Sequence, residues 1–423
     1  MKISQPQSIF LPLLLLALAL PATAQTTTDP ESVGLSESRL DRIADLVDRY
    51  IVDDQIAGAI TVVARHGETA YFKTQGVMDI EAREAMRPDA IFRMASMSKP
   101  VTGVAIMMLL EEGRLRLEDP VSRFIPEFQN TQVAMLKDDS NHIDPTNRNP
   151  DIYTVPASRE ITVRDLLTHT SGLESGGAGS RVGSRIAPRD TSLSLAEYIP
   201  TLGDVPLDFQ PGTKWRYSSL AGIETLGHIV EVVSGLTFDQ FLQERIFEPL
   251  GMRDTSFVVP ADKMPRLVTL YESSDAGTLE RQDDNPGWLD TTTLFSGGGG
   301  LYSTADDYMR FGQMLLNGGE LNGNRLLGLR TVQLMASNHV GDLYGPDAGR
   351  ANGLGFGLTV EVVLDPVLAN TRRGKGSFGW GGAFGTYFWV DPENDIVALL
   401  MIQTRATTLR SDFANAVGQA IVE

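Results

Sequence analysis

The sequence predicts an α+β chain, an α/β sandwich whose antiparallel sheet is built from both termini and flanked by helices, with a mostly helical region inserted between. Three observations predict it. A strand-turn-strand pattern lies near each end of the chain, an amphipathic helix accompanies each pair of strands, and helical periodicity dominates the stretch between them.

From the N-terminal side, Leu40, Ile43, Leu46, Val47 and Tyr50 recur at helical spacing after Ser36, a suitable cap, and their apolar face should cover a sheet. Gly58 to Ala64 is β-branched and apolar, His66-Gly67-Glu68 makes a turn, and Thr69 to Thr74 returns as a second strand. Helical patterns follow over Val101 to Leu110, Val163 to Leu167, Leu220 to Val233 (stopped by Gly235), Phe238 to Phe247, and Asp306 to Leu316. Two stretches read as loops: Asn130 to Arg159, rich in Asp, Asn and Pro, and Glu174 to Asp190, rich in Gly, Ser and Arg. Near the C-terminus, Thr386 to Val390 and Ile396 to Gln403 flank the turn Asp391-Pro392-Glu393-Asn394-Asp395, and Leu409, Phe413, Val417 and Ile421 form a closing helix face. The sheet part is thus expected over about 25–90 and 296–423, and the helical part over about 91–295.

Composition excludes several chemistries. The chain has 423 residues and no cysteine, so it can form no disulfide, thiolate metal site or cysteine nucleophile. Its five histidines, at 66, 142, 169, 228 and 339, include no H-E-x-x-H, and neither a metal nor another cofactor is expected. A net charge of -18 argues against nucleic acid or an anionic membrane as partner. Lys2, the apolar run Ile9 to Leu20 and Ala22-Thr23-Ala24 have the layout of a secretory signal over 1–24, so the mature chain should start near Gln25 and be periplasmic or secreted, without a stable membrane anchor.

The chemistry is concentrated at Ser96-Met97-Ser98-Lys99. A serine hydroxyl needs a neighbouring base to become nucleophilic, and residues i and i+3 share one helix face. Of the seven lysines only Lys99 has a serine three positions earlier. Pro100 disfavours helical geometry at Lys99, a conflict that disappears if Ser96 lies at the very start of the helix. A second element, Pro211 to Ser219, is a turn that leads through Tyr217 into a helix. No G-x-S-x-G pentapeptide marks a Ser-His-Asp hydrolase, and Gly297 to Gly300 lacks the Lys-Ser/Thr of a phosphate-binding loop and reads as a loop before a helix capped near Ser303 or Thr304.

Taken together, these stretches resemble the serine β-lactamase-like superfamily, nearest to class C β-lactamases and family VIII carboxylesterases. The resemblance is carried by Ser96-x-x-Lys99, Tyr217-Ser218-Ser219, Phe92-Arg93-Met94-Ala95, Leu166 to Leu173, Pro249-Leu250-Gly251-Met252, Gly299 to Thr304, and Trp380-Gly381-Gly382, and it spans nearly the whole mature chain. It implies the β-lactamase/transpeptidase-like fold over 25–423, an acyl-enzyme on Ser96, proton transfer by Lys99 and Tyr217, and an oxyanion held by the backbone N–H groups of Ser96 and Ala383. Trp380, Gly381, Gly382 and Ser219 would line the substrate site.

Two departures bear on substrate. Trp380 stands where relatives often carry a cation, and Ser219 where many carry an asparagine amide. Both favour small neutral esters over lactams. Ser219 has a second reading, as a cap of the following helix. The basic stretch Arg372, Arg373 and Lys375 reads as solvated surface, with replacement of the missing cation as its alternative. A class C-type β-lactamase, a D-alanyl-D-alanine peptidase and an inactive peptide-binding homologue are the competing functions. The signal reading is checked by N-terminal sequencing of protein recovered from periplasm or medium: it should begin at Gln25, and an uncut membrane-bound chain starting at Met1 contradicts it.

Overall fold

The computed structural model of the protein describes residues 27–137, 147, 149–274, 277–282, 293–405 and 407–423. Both ends of the chain supply its main sheet. The N-terminal side contributes β1 (Gly58–Arg65), β2 (Glu68–Asp79) and β3 (Glu84–Ala85); the C-terminal side contributes β4 (Leu354–Phe356), β5 (Glu361–Val363), β6 (Phe378–Gly381), β7 (Tyr387–Asp391) and β8 (Ile396–Met401). They are ordered β4-β5-β6-β7-β8-β1-β2-β3, with every neighbouring pair antiparallel. The two ends of the chain meet mid-sheet, where Val62 stands opposite Leu399 and Val63 opposite Ala398.

The helices that bear on the site are α1 (Glu37–Val52), α2 (Ser98–Glu111), α3 (Ala221–Ser234), α4 (Ala305–Leu316) and α5 (Thr407–Gly418). Strand side chains alternate between faces, so β1 and β8 divide their apolar residues between two cores. Ala59, Val63, Ile396, Ala398 and Leu400 join Leu40, Ile43 and Val47 of α1 and Phe413 and Val417 of α5. Ile60, Val62, Val397, Leu399 and Met401 join α2, α3 and α4 in the larger core, where Tyr308 of α4 packs edge-on to Phe388 at 4.9 Å. With both faces covered, all eight residues of β1 are buried.

The expected hairpins and helices are present, but the closing helix ends at Gly418 and Ile421 lies beyond it, bridged to Leu35; the structure also corrects both loop readings. Within Asn130 to Arg159, Gln132–Leu136 and Ile152–Pro156 pair as antiparallel strands, Val133 opposite Val155. The Asp, Asn and Pro of the connection between them outweighed this short pattern; residues 138–146 and 148 of that connection lie outside the described residues. Within Glu174 to Asp190, Ala178–Ile186 is a helix. Its glycines mark close approach: a Cβ on Gly179 would stand 2.0 Å from the Pro206 carbonyl oxygen, and one on Gly183 would stand 2.5 Å from Val205 Cγ1. The Asp208 carboxylate accepts the Ser180 N–H at 2.8 Å and ties the first turn of this helix to the same segment. The signal sequence predicted over 1–24 lies outside the described residues. No helix among the described residues is long and apolar enough to cross a membrane.

Candidate active site

The chain approaches α2 through a short strand, Phe92–Arg93, paired with Tyr302–Ser303. It then turns sharply: Ala95 has φ +46°, and Ala95–Met97 forms one 3₁₀ turn ahead of α2. Ser96 therefore sits just before the helix and Lys99 in its first turn. Pro100 falls where a helical N–H has no intrahelical partner, so its missing donor costs nothing and the conflict in the sequence is resolved. The turn is pinned from three sides. Ser98 Oγ donates to Ala95 O at 2.8 Å and accepts the Leu301 N–H at 3.1 Å, while the Tyr308 hydroxyl donates to Met97 O at 2.7 Å.

Lys99 is completely buried. Its Nζ donates to Ser96 Oγ at 3.2 Å, Ser219 O at 2.6 Å and Gly298 O at 2.6 Å. Three acceptors meet the three donors of an ammonium. The Gly298 acceptor is held in place by its neighbours, because Thr102 donates to Gly297 O at 3.0 Å and Ser296 Oγ donates to the buried Glu224 at 2.5 Å. Tyr217 approaches Ser96 from the other side, its hydroxyl donating to Ser96 Oγ at 2.7 Å. Burial pushes the Tyr217 phenol up, but the charge of Lys99, whose Nζ lies 4.9 Å from the ring centroid, and hydrogen bonding outweigh it, so its pKa falls below the ordinary tyrosine value.

The sequence assigned no role to His169, yet it fixes the Tyr217 segment. It adopts φ +57°, is buried, and packs its ring 4.7 Å from that of Tyr217. Its carbonyl accepts the Arg216 N–H at 3.0 Å and its Nδ1 accepts the Ser218 N–H at 3.3 Å. Burial, followed by the charges of Lys99 and Arg350, holds its pKa well below the ordinary histidine value, which suits a neutral acceptor. The structure corrects both readings of the Ser219 side chain. Ser218 Oγ, not Ser219, accepts the Gly222 N–H at 3.0 Å in the first turn of α3. Ser219 is exposed, lies outside the lining of the Ser96 cavity, and contributes its carbonyl to Lys99.

Ser96, Tyr217, Trp380, Gly381, Gly382 and Ala383 line one cavity of about 260 Å³. The glycines are needed for contact: a Cβ on Gly382 would stand 2.3 Å from the carbonyl oxygen of Met94, two residues before Ser96. Trp380 is buried, with its ring 5.6 Å from Tyr217 and edge-on to Phe356 at 5.4 Å. A larger cavity of about 500 Å³, beside Val133, Arg181 and Lys214, shares no lining residue with this one. Among the described residues, no group of three or more His, Asp or Glu is placed to hold a metal ion.

The expectation of a cavity without a cation is corrected. Trp380 carries no charge, but Arg350 and Arg410 both line the cavity. The Arg350 guanidinium lies 5.3, 5.4 and 5.8 Å from the ring centroids of Trp215, Tyr344 and Trp380, a seat of three aromatic faces that suits a cation. Sequence position gave no sign of this, because Arg350 is thirty residues from Trp380 and its three ring partners are spread from Trp215 to Trp380. Arg373 is also not solvated: it is buried and bonded to Glu361 at 3.1 Å, while Arg372 and Lys375 are exposed.

The arrangement sets a hydroxyl between an amine and a phenol at the floor of a cavity, which is the equipment of acyl transfer. Comparison with known proteins agrees. Residues 43–421 match the Beta-lactamase family. Protein Rv1367c of Mycobacterium tuberculosis is 37% identical over 359 residues, covering 82% of this chain and 86% of the relative. Esterase EstB of Burkholderia gladioli is 32% identical over 400 residues, covering 89% and 93%. Among solved structures, EstCE1, described as a hydrolase with promiscuous acyltransferase activity, superposes with a TM-score of 0.74 at 26% identity, covering 91% of this chain and 99% of that one. With its fold, its Ser96–Lys99–Tyr217 cluster and these matches in agreement, the chain belongs to the Beta-lactamase family of serine hydrolases.

Proposed function

We propose that the protein is an exported carboxylesterase that forms an acyl-enzyme on Ser96 and passes the acyl group to water or to an alcohol. The observation that carries this reading is the position of Ser96 Oγ, 3.2 Å from Lys99 Nζ and 2.7 Å from the Tyr217 hydroxyl, in a cavity walled by Trp380-Gly381-Gly382. Ser96 Oγ attacks the ester carbon and its proton passes to the Tyr217 oxygen, which accepts it as a phenolate held beside the Lys99 ammonium. Backbone N–H groups of Ser96 and Ala383 receive the oxyanion. The C–O bond to the leaving alcohol then breaks, and the stored proton returns to that alcohol. Water or a second alcohol reverses the sequence and frees Ser96. The esterase EstB and the acyltransferase activity named for EstCE1 support both acceptors.

A restriction to neutral esters does not follow any longer, because Arg350 offers a carboxylate the charge that Trp380 withholds. That same arginine favours lactam hydrolysis as a second reading. The two are separated by comparing kcat/KM for a short-chain nitrophenyl ester and a chromogenic cephalosporin. The ester should be the better substrate, with Ser96→Ala reducing it to background and removing the single phosphonate adduct seen by intact-mass spectrometry. A preference for the cephalosporin, or an adduct surviving in the alanine variant, contradicts the proposal.

The pH profile tests the proton-transfer pair. A free phenol titrates near pH 10, and Lys99 draws the Tyr217 value down, so the phenolate should be available at lower pH than in a free tyrosine. Removing the cation removes that lowering. Lys99→Met should therefore move the rising limb of kcat/KM toward higher pH in addition to lowering the plateau. A limb that stays in place shows that Tyr217 ionisation does not control it.

A further inference from the structure

We infer that Arg410 is a positioning residue for the oxyanion: its guanidinium grips the carbonyl end of the Gly382–Ala383 peptide and so aims the N–H at the other end of that peptide into the cavity. The inference rests on the esterase reading above and adds a residue to its machinery. Arg410 lies in α5, outside every motif considered in the sequence. Its Nη2 donates to Gly382 O and its Nε to Gly385 O at 3.4 Å, and among the described residues no carboxylate pairs with it. A cation in a protein of net charge -18 is thus spent on two main-chain carbonyls beside the nucleophile.

The consequence follows from peptide geometry. In a planar trans peptide the C=O and the N–H point in opposite directions, so whatever fixes Gly382 O fixes the direction of the Ala383 N–H. Ala383 and Ser96 line the same cavity. Gly382 has no side chain to limit rotation of this peptide, and besides Arg410 the backbone adds one bond to its carbonyl, from the Gly385 N–H at 3.2 Å. A charged donor on the carbonyl also polarises the amide, and hydrogen bonds in such chains strengthen one another by roughly 10–30% each. The approach of the guanidinium explains a second glycine, since a Cβ on Gly381 would stand 2.7 Å from Arg410 Nη1.

The test compares wild type, Arg410→Ala and Arg410→Lys on a nitrophenyl ester and its thionoester, whose C=S uses oxyanion donors less well. Losing a whole oxyanion donor costs about 10²–10³ in turnover, so a misaimed donor in Arg410→Ala should cost about 10–100-fold in kcat with KM little changed. The ester-to-thionoester ratio and the affinity for an alkylboronic acid, which mimics the tetrahedral state on Ser96, should fall in step with it. Arg410→Lys, which keeps the charge but not the fork, should be intermediate and carries the test alone if the alanine variant does not fold. A folded variant with unchanged ratio and boronate affinity overturns the inference, as does a loss confined to KM. If the wild type hydrolyses neither ester, the esterase reading fails instead, and boronate affinity still decides the role of Arg410: an equal affinity in the variants overturns it.

Discussion

The site depends on the burial of one ammonium. Removing a charge from water is costly unless its hydrogen bonds are replaced, and Lys99 replaces them with Ser219 O, Gly298 O and Ser96 Oγ. Those acceptors come from three segments far apart in sequence. The lysine can be buried only when the segment before α3, the glycine turn before α4 and the 3₁₀ turn before α2 are all in place. The same cation lies beside the Tyr217 ring and pulls its pKa down. One interaction therefore both assembles the site and sets its proton chemistry.

Much of the surrounding structure keeps those carbonyls where they are. The glycine turn is tied to α2 through Thr102 and Ser98, and to α3 through the Ser296–Glu224 bond. Glu224 is itself buried and paired with Arg189 at 2.8 Å. The Tyr217 segment is fixed by a histidine kept neutral, so its Nδ1 can accept a backbone N–H. The sheet supplies the remaining wall. β6 ends in Trp380-Gly381, and the two glycines let the strand end and the loop after it press on Arg410 and on the Met94 carbonyl. Fold and chemistry meet at positions where backbone, more than side chain, makes the contact.

How much of this was legible in the sequence varied with distance along the chain. Ser96 and Lys99 are three residues apart, and a local pattern exposes such a pair. Tyr217 and the Trp380-Gly381-Gly382 stretch came from resemblance, since nothing in their spacing ties them to Ser96. The middle of the sheet was legible because β1 and β8 are apolar runs and each is joined to its hairpin partner by a clear turn, whereas the short strands β3, β4 and β5 carry no such pattern. The strand pair at Gln132–Leu136 and Ile152–Pro156 was missed because each is short and set in polar sequence. The helix Ala178–Ile186 was missed because its glycines serve packing against Val205 to Asp208, and glycine in isolation reads as a breaker. Arg350, Arg410 and His169 were invisible for another reason. Their partners are rings and main-chain groups brought near only by the complete fold, and a lone arginine or histidine has no pattern of its own.

If the buried cation and the phenol are one device, removing either should disable the other. The most direct measurement is a double-mutant cycle on kcat/KM for a short-chain nitrophenyl ester with Lys99→Ala, Tyr217→Phe and the double variant. Groups that act as a unit are strongly non-additive, so the double variant should be little slower than the worse single variant. Losses that multiply would show two independent groups and contradict the account.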